Sequence, residues 1–200
     1  MFITFEGVEG CGKSTQSTLL KEALEKDGKS VILTREPGGT DIGVEIRNII
    51  LHSTIDFTHE YSELLLFYVD RLEHVKRVIE PALKEGKIVL CDRYIDSTIA
   101  YQVFGRGMSR DVVDRLSSIV NLTPDKTILF DLNVEEGIRR AKKRAALDRF
   151  EKEALAFHER VREGYLEQAQ KHPHRMTKID VDGKNIDDIH TDVKKILGLS

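Results

Sequence analysis

Cysteine is scarce in this 200-residue chain, with only Cys11 and Cys91 present. Two are too few for a disulfide framework, and they point to a reducing compartment. Long apolar runs are missing as well. Nothing approaches the roughly 20 residues that a membrane-spanning helix needs. The opening Met1-Phe2-Ile3-Thr4-Phe5-Glu6 has no basic stretch ahead of an apolar segment, so no signal peptide is expected. An excess of positive charge is also lacking. The formal net charge of -3 argues against a general nucleic-acid binder, whose domain would be basic. The seven histidines are scattered without metal-ligand spacing and receive no role. Internal repeats, low-complexity tracts and Pro/Gly-rich linkers are absent, so residues 1–200 read as one domain. A soluble, cytoplasmic protein is the expectation.

Short β-rich apolar runs recur at 2–5, 31–34, 88–91, 127–130 and 178–181, with helical periodicity between them, as in Leu19, Leu20, Ala23 and Leu24. Strands alternating with helices predict a five-stranded parallel sheet covered on both faces, a three-layer α/β/α fold. Ligands of such sheets bind beyond the carboxyl ends of the strands. The residues there are Gly7 to Ser14, Arg35-Glu36-Pro37-Gly38-Gly39, Asp92-Arg93-Tyr94 and Asp131.

The first of these segments is chemically explicit. Gly7-Val8-Glu9-Gly10-Cys11-Gly12-Lys13-Ser14, followed by Thr15, fits G-x-x-x-x-G-K-[ST] between a predicted strand and a predicted helix. Glycines let successive N–H groups turn inward onto phosphates, and the helix adds its positive dipole end. Lys13 is expected to reach the β- and γ-phosphates of ATP, and the Ser14 hydroxyl to ligate Mg²⁺. This P-loop establishes a nucleotide, not a reaction.

Other features narrow the class. No N-K-x-D motif for guanine is present. Asp180-Val181-Asp182-Gly183 comes too late to be a switch element and reads as a turn after the last strand. A compact kinase remains. Asp92, at a strand end, is expected to organise Mg²⁺, directly or through water, and Arg93 to bridge transferring and accepting phosphates with its fork. Asp131 reads as a loop or cap residue.

With the P-loop, Arg35-Glu36-Pro37-Gly38-Gly39-Thr40 and Asp92-Arg93-Tyr94 in this order, the chain resembles the thymidylate (dTMP) kinases from end to end. The resemblance implies transfer from Mg-ATP to dTMP, giving dTDP, and a homodimer. It implies that Phe67 stacks on thymine and that Arg71, on the same helical face, hydrogen-bonds the base edge. Ser97, Thr98, Tyr101 and Gln102 resemble the stretch lining base and sugar, with Tyr101 crowding the 2′ side. Glu9 matches the acidic residue near the 3′-hydroxyl, and Arg35 and Arg93 match phosphate-facing arginines.

Residues 139–144, Arg139-Arg140-Ala141-Lys142-Lys143-Arg144, form a concentrated basic run. Alone it fits a solvated helix face, a nucleic-acid patch or a lid over ATP. On a helix Arg140 and Arg144 share one face at i, i+4. The resemblance favours the lid, taken as 139–151. The P-loop has Gly10 and no basic residue before Lys13, as in bacterial-type members whose lid supplies the arginines. In Leu147-Asp148-Arg149-Phe150-Glu151, Arg149 is expected to contact phosphates, and Asp148 and Glu151 to bracket the acceptor. Val103-Phe104-Gly105-Arg106-Gly107 departs from the more Gly-rich pattern of many bacterial relatives. Another P-loop nucleotide or deoxynucleoside kinase, or a non-catalytic P-loop regulator, stands as the alternative.

Overall fold

A computed structural model describes residues 1–53, 56–144 and 148–199, with Arg144 described in its backbone alone. The chain opens with β1 (Phe2–Glu6), the P-loop, α1 (Lys13–Lys26), β2 (Val31–Arg35) and α2 (Asp41–His52). Next come α3 (Glu60–His74), a π-helical stretch at Val75–Ile79, α4 (Glu80–Lys84) and β3 (Ile88–Asp92). Then α5 (Ile95–Thr98) runs through a second π-helical stretch, Ile99–Gly105, before α6 (Arg110–Val120) and β4 (Lys126–Asp131). The chain closes with α7 (Val134–Arg144), α8 (Leu155–Lys171), β5 (Met176–Asp180) and α9 (Ile186–Ile196). No helix among the described residues is long and apolar enough to cross a membrane.

All five strands are parallel in the order β2-β3-β1-β4-β5. Helices cover both faces, so the central strands lack the in–out alternation of a one-sided sheet. Every residue of β1 is buried. Its two polar members are satisfied internally: Thr4 Oγ1 pairs with Thr127 Oγ1 of β4 at 2.8 Å, and Glu6 feeds the site described below. Two apolar cores flank the sheet, one around Ile3, Phe5, Leu20 and Phe130, the other around Phe2, Leu64, Tyr94 and Val113. The expected architecture and its five strands are present, with β5 beginning two residues before the expected 178.

The register lines up the functional ends of the strands. Phe5 sits opposite Asp92, and Arg35 opposite Asp92 on the other side. Thus the ends of β1, β2 and β3 deliver the P-loop, the Arg35 loop and the Asp92-Arg93 pair to one edge of the sheet. Asp131, at the end of β4, is turned to structure: it accepts from Arg162 at 2.6 Å and Lys178 at 3.3 Å. Helix α7 is instead capped by Asn133, whose Oδ1 accepts the Glu136 N–H. A turn at Asp182 and Gly183 follows β5, within the segment expected to form one.

Candidate active site

One cleft of about 450 Å³ opens at this edge. One end of it is formed by the P-loop and the start of α1. No side chain caps α1, so the N–H groups of its first turn point into the cleft mouth unblocked. Gly12, Lys13, Ser14 and Thr15 line the cleft, whereas Val8 and Cys11 are buried beneath the loop. Gly7 and the side chains of Val8 and Cys11 therefore stand behind the cradle, leaving backbone groups to face a ligand. Lys13 Nζ donates to the carbonyls of Val8 at 2.9 Å and Gly7 at 3.1 Å, which holds the amine over its own loop.

Ser14 Oγ donates to Asp92 Oδ2 at 2.5 Å. A hydroxyl and a carboxylate, both hard oxygen donors, fit Mg²⁺, which binds few protein oxygens and keeps several waters. No cluster of three or more His, Cys, Asp or Glu suited to a metal exists among the described residues.

Arg93 occupies the centre. Its backbone lies in the left-handed region at φ 69°, a conformation costing a non-glycine residue about 1 kcal/mol. Its Nη2 donates to Glu9 Oε1 at 2.5 Å, while Nη1 donates to the Gly7 carbonyl at 3.0 Å and the Tyr165 hydroxyl at 2.9 Å. The guanidinium lies over the Tyr101 ring at 5.1 Å, and Tyr101 OH donates to the same Glu9 oxygen. Burial alone would lower the Arg93 pKa, but Glu9, Tyr101, Tyr165 and Asp92 together outweigh it and hold the group well above its ordinary value.

The other end of the cleft lies under α3. Phe67 and Arg71, one turn apart, both line it, together with Ser97, Thr98 and Gln102. Arg71 is buried, and its Nε donates to Glu36 Oε2 at 2.7 Å. Glu36 also pairs with His74 Nδ1 at 2.9 Å, and His74 Nε2 meets Thr34 Oγ1 at 2.7 Å. Burial would pull Arg71 down, but Glu36, Tyr94 and Tyr68 together raise it. Arg71 Nη1 is buried and has no hydrogen-bond partner among the described residues. A buried cationic N–H without an acceptor costs several kcal/mol by order of magnitude, so it calls for a ligand atom. Gln102 Nε2 donates to Glu63 Oε1 at 3.2 Å.

Two residues around this site carried no sequence signal of function. Glu36 was visible within the Arg35-Glu36-Pro37 segment, but His74 and Arg47 were not. Arg47 projects from the amphipathic helix α2, lines the cleft and donates to the Pro37 carbonyl at 2.8 Å. Burial lowers its pKa, and the neighbouring Arg35 and Arg93 lower it further. That clustering of like charge is unfavourable without an anion to share.

The lid residues divide. Arg140 lines the cleft and is steadied by Glu136 at 2.7 Å. The side chain of Arg144, expected beside it, lies outside the described residues. Asp148 and Glu151 line the cleft and cap one another's backbone: the Glu151 N–H donates to Asp148 Oδ1 at 2.9 Å, and the Asp148 N–H to Glu151 Oε2 at 3.0 Å. Arg149 differs from expectation. It turns away from the cleft onto the Ile50 carbonyl at 3.0 Å and onto the buried Glu63 carboxylate. Glu63 needs a cation once it is removed from water, and Arg149 supplies it, tying the lid segment to α2 and α3. Arg106, from the departing Val103–Gly107 stretch, does similar work. It pairs with Glu153 at 2.6 Å and lies over Phe157 at 4.9 Å.

Gly10 is forced by packing against α7. It has φ 72°, and a Cβ there would fall 2.4 Å from the Gly137 carbonyl oxygen of α7 and 3.1 Å from Arg140 Cβ. The relation is reciprocal, since a Cβ on Gly137 would fall 2.4 Å from the Glu9 carbonyl oxygen. A side chain at position 10 has no room, and the same close approach brings α7 and Arg140 to the cradle.

A thymidylate kinase family model matches residues 5–193. The curated thymidylate kinase of Trichlorobacter lovleyi is 48% identical over 90% of this chain and 89% of its own length. That of Trichormus variabilis is 46% identical over 98% of this chain and 94% of its own. The crystal structure of thymidylate kinase from Ehrlichia chaffeensis superposes with a TM-score of 0.82 at 39% identity, covering 100% of this chain and 98% of that one.

Proposed function

The chain belongs to the thymidylate kinase family and is an ATP-dependent nucleoside monophosphate kinase that phosphorylates dTMP in nucleotide biosynthesis, and on that premise we propose how its cleft divides the work. The observation that carries the reading is one continuous cleft running from Lys13 and Ser14 to Arg71, whose buried Nη1 has no partner among the described residues. The thymine O4 is an acceptor at the position where cytosine carries an amino group. It completes Arg71, whereas an amino group would leave two donors facing each other. Phe67 offers its ring to the base, and Tyr101 closes the 2′ side of the sugar.

At the donor end, Lys13 and the first-turn N–H groups of α1 hold the polyphosphate. Ser14 and Asp92 would hold Mg²⁺, which would neutralise charge on the phosphates. Arg93 sits between donor and acceptor, with Arg35 and Arg47 on the acceptor phosphate side and Arg140 descending from the lid. Arg144 is a second lid cation in this scheme. The dTMP phosphate oxygen is already anionic, so no general base is required and attack is direct and in line. Closure of residues 139–151 over the donor excludes water and limits ATP hydrolysis. A single domain working in the cytoplasm as a homodimer completes the reading. Exposed Leu65, Val69 and Leu72 along one stripe of α3 support the dimer.

An acceptor panel with Mg-ATP tests the assignment. dTMP should be turned over well, dUMP less so by about 1–3 kcal/mol for one methyl group, and thymidine and dCMP poorly. Arg71→Ala should raise KM for dTMP by about 100-fold while leaving KM for ATP within about 3-fold. Equal damage to both substrates would remove Arg71 from the base site.

A further inference from the structure

Glu6 ends β1 with its side chain fully buried, one residue before the P-loop, and takes no part in the scheme above. A carboxylate out of reach of water must be saturated with donors. Glu6 accepts from the Tyr94 N–H at 2.7 Å, Ser97 Oγ at 2.6 Å and Tyr165 OH at 3.1 Å. Among the described residues no basic side chain pairs with it directly. Burial pushes the carboxyl up to about 7 and Asp96 adds to this, while Ser97, Arg93 and the Tyr94 N–H pull it back. The fold thus keeps a costly group where a glutamine or a leucine would fill the same space.

The two hydroxyls that serve Glu6 also serve Arg93. Its Nη1 donates to Tyr165 OH at 2.9 Å and Ser97 Oγ at 3.3 Å, and those oxygens lie 2.7 Å apart. A hydroxyl has one proton and two acceptor sites. When both hydroxyls spend their protons on Glu6, both turn lone pairs toward Arg93. Without a carboxylate at Glu6, one proton must turn to the neighbouring hydroxyl 2.7 Å away, which reorients the lone pairs that hold Arg93. Three contacts therefore fix the Arg93 fork on the side opposite Glu9, and two of them take their polarity from Glu6.

We propose that Glu6 is a positioning residue for the transfer, orienting the Arg93 guanidinium through the hydroxyls of Ser97 and Tyr165. The proposal rests on the reading of Arg93 as the cation between donor and acceptor phosphates. Glu6→Gln tests it sharply: the carboxamide has one oxygen for three donors, and its NH2 forces a neighbouring hydroxyl to accept and turn its own proton elsewhere. Tyr165→Phe is the gentler variant, removing one relay hydroxyl while keeping the ring that packs in the core.

Steady-state kinetics of Arg93→Ala, Glu6→Gln and Tyr165→Phe, and of each of the last two combined with Arg93→Ala, separate the possibilities. Arg93→Ala should lower kcat by about 100-fold or more. Glu6→Gln should lower kcat by about 10–100-fold and Tyr165→Phe by about 3–10-fold, with KM for ATP and dTMP within about 3-fold of wild type, because misorientation of a held cation costs rate rather than binding. In the Glu6→Gln/Arg93→Ala double variant the Glu6 substitution should cause no further loss, since its effect passes through the missing arginine. Should Arg93→Ala leave turnover intact, the reading of Arg93 falls and the proposal with it. If Arg93→Ala is damaging but Tyr165→Phe and Glu6→Gln keep wild-type kcat, or their losses multiply with that of Arg93→Ala, Glu6 is structural and the proposal alone is overturned. Where Glu6→Gln does not fold, the Tyr165→Phe pair decides by the same two outcomes.

Discussion

Asp70 lies beneath the loop that follows β2, on the helix that also carries Phe67 and Arg71. Its Oδ1 accepts the Gly38 N–H at 2.9 Å, while Oδ2 is buried and has no partner among the described residues. Burial pushes this carboxyl up to about 6, and the nearby Glu36 adds to the rise. Between the ordinary carboxylate value and 6, the folded protein holds a proton that the unfolded chain releases. Asp70 thus contributes its stability in full below about pH 4 and loses it as pH rises through 6. Asp70→Asn keeps the acceptor for Gly38 and cannot ionise. Relative to wild type its stability should improve by about 2–3 kcal/mol between pH 4 and pH 7, read by chemical denaturation at the two values. A difference independent of pH would mean that Asp70 titrates as an exposed carboxylate does. Residues of this kind were invisible in the sequence. Lys13, Ser14, Asp92 and Arg93 announce themselves because phosphate chemistry dictates both type and spacing. Asp70, His74, Arg47 and Glu6 occupy ordinary helix and strand positions, and their role appears only when distant elements meet. Arg149 shows the converse: it sits in a basic segment, yet the buried Glu63, 86 positions away, claims it.

Strands and the P-loop were legible as elements because apolar runs of β-branched residues and the glycine spacing are local signals. The π-helical stretches at Val75–Ile79 and Ile99–Gly105 were not, since their wider turn answers to packing rather than composition. The contact between α7 and the P-loop also lies beyond local pattern, although both partners are glycines. A glycine inside a helix normally costs about 0.5–1 kcal/mol relative to alanine, so Gly137→Ala should stabilise α7 if nothing opposed it. Here the added carbon meets the Glu9 carbonyl at 2.4 Å, and backbone cannot yield as a side-chain tip does. The substitution should lever α7 off the cradle and carry Arg140 with it. A displacement of about 1 Å at a transfer site can cost up to about 100-fold in rate. We expect kcat to fall by about 10-fold or more, with a melting temperature unchanged or lower. A Gly137→Ala enzyme that is both more stable and fully active would show that α7 need not touch the P-loop during transfer. The same contact explains why the P-loop carries no arginine at position 10: the lid helix occupies that space and brings its own.

At the scale of the molecule, the acceptor site depends on a helix that is only half supported. The inner face of α3 holds Phe67, Asp70 and Arg71, while its outer face exposes Leu65, Val69 and Leu72 at 50%, 44% and 38%. The adjoining α2 adds Ile42 and Ile49, seven residues apart and also exposed. Apolar stripes on two packed helices form a patch that water does not favour. A two-fold dimer would bury it by apposing the same patch from each copy. Leu65→Asp combined with Val69→Asp should therefore give a monomer by sedimentation at micromolar concentration. Each position is exposed within one chain, so the cost to the isolated fold should stay within about 0.5 kcal/mol per site. Loss of the partner removes the outer support of α3, so KM for dTMP should rise while KM for ATP, set by β1 and α1, changes little. A wild-type chain that sediments as a monomer, or a double variant that still sediments as a dimer, would take this face out of the interface. A monomeric variant with unchanged KM for dTMP would keep the interface but uncouple it from the acceptor site, leaving the Glu36–Arg71–Tyr94 cluster to hold α3 on its own.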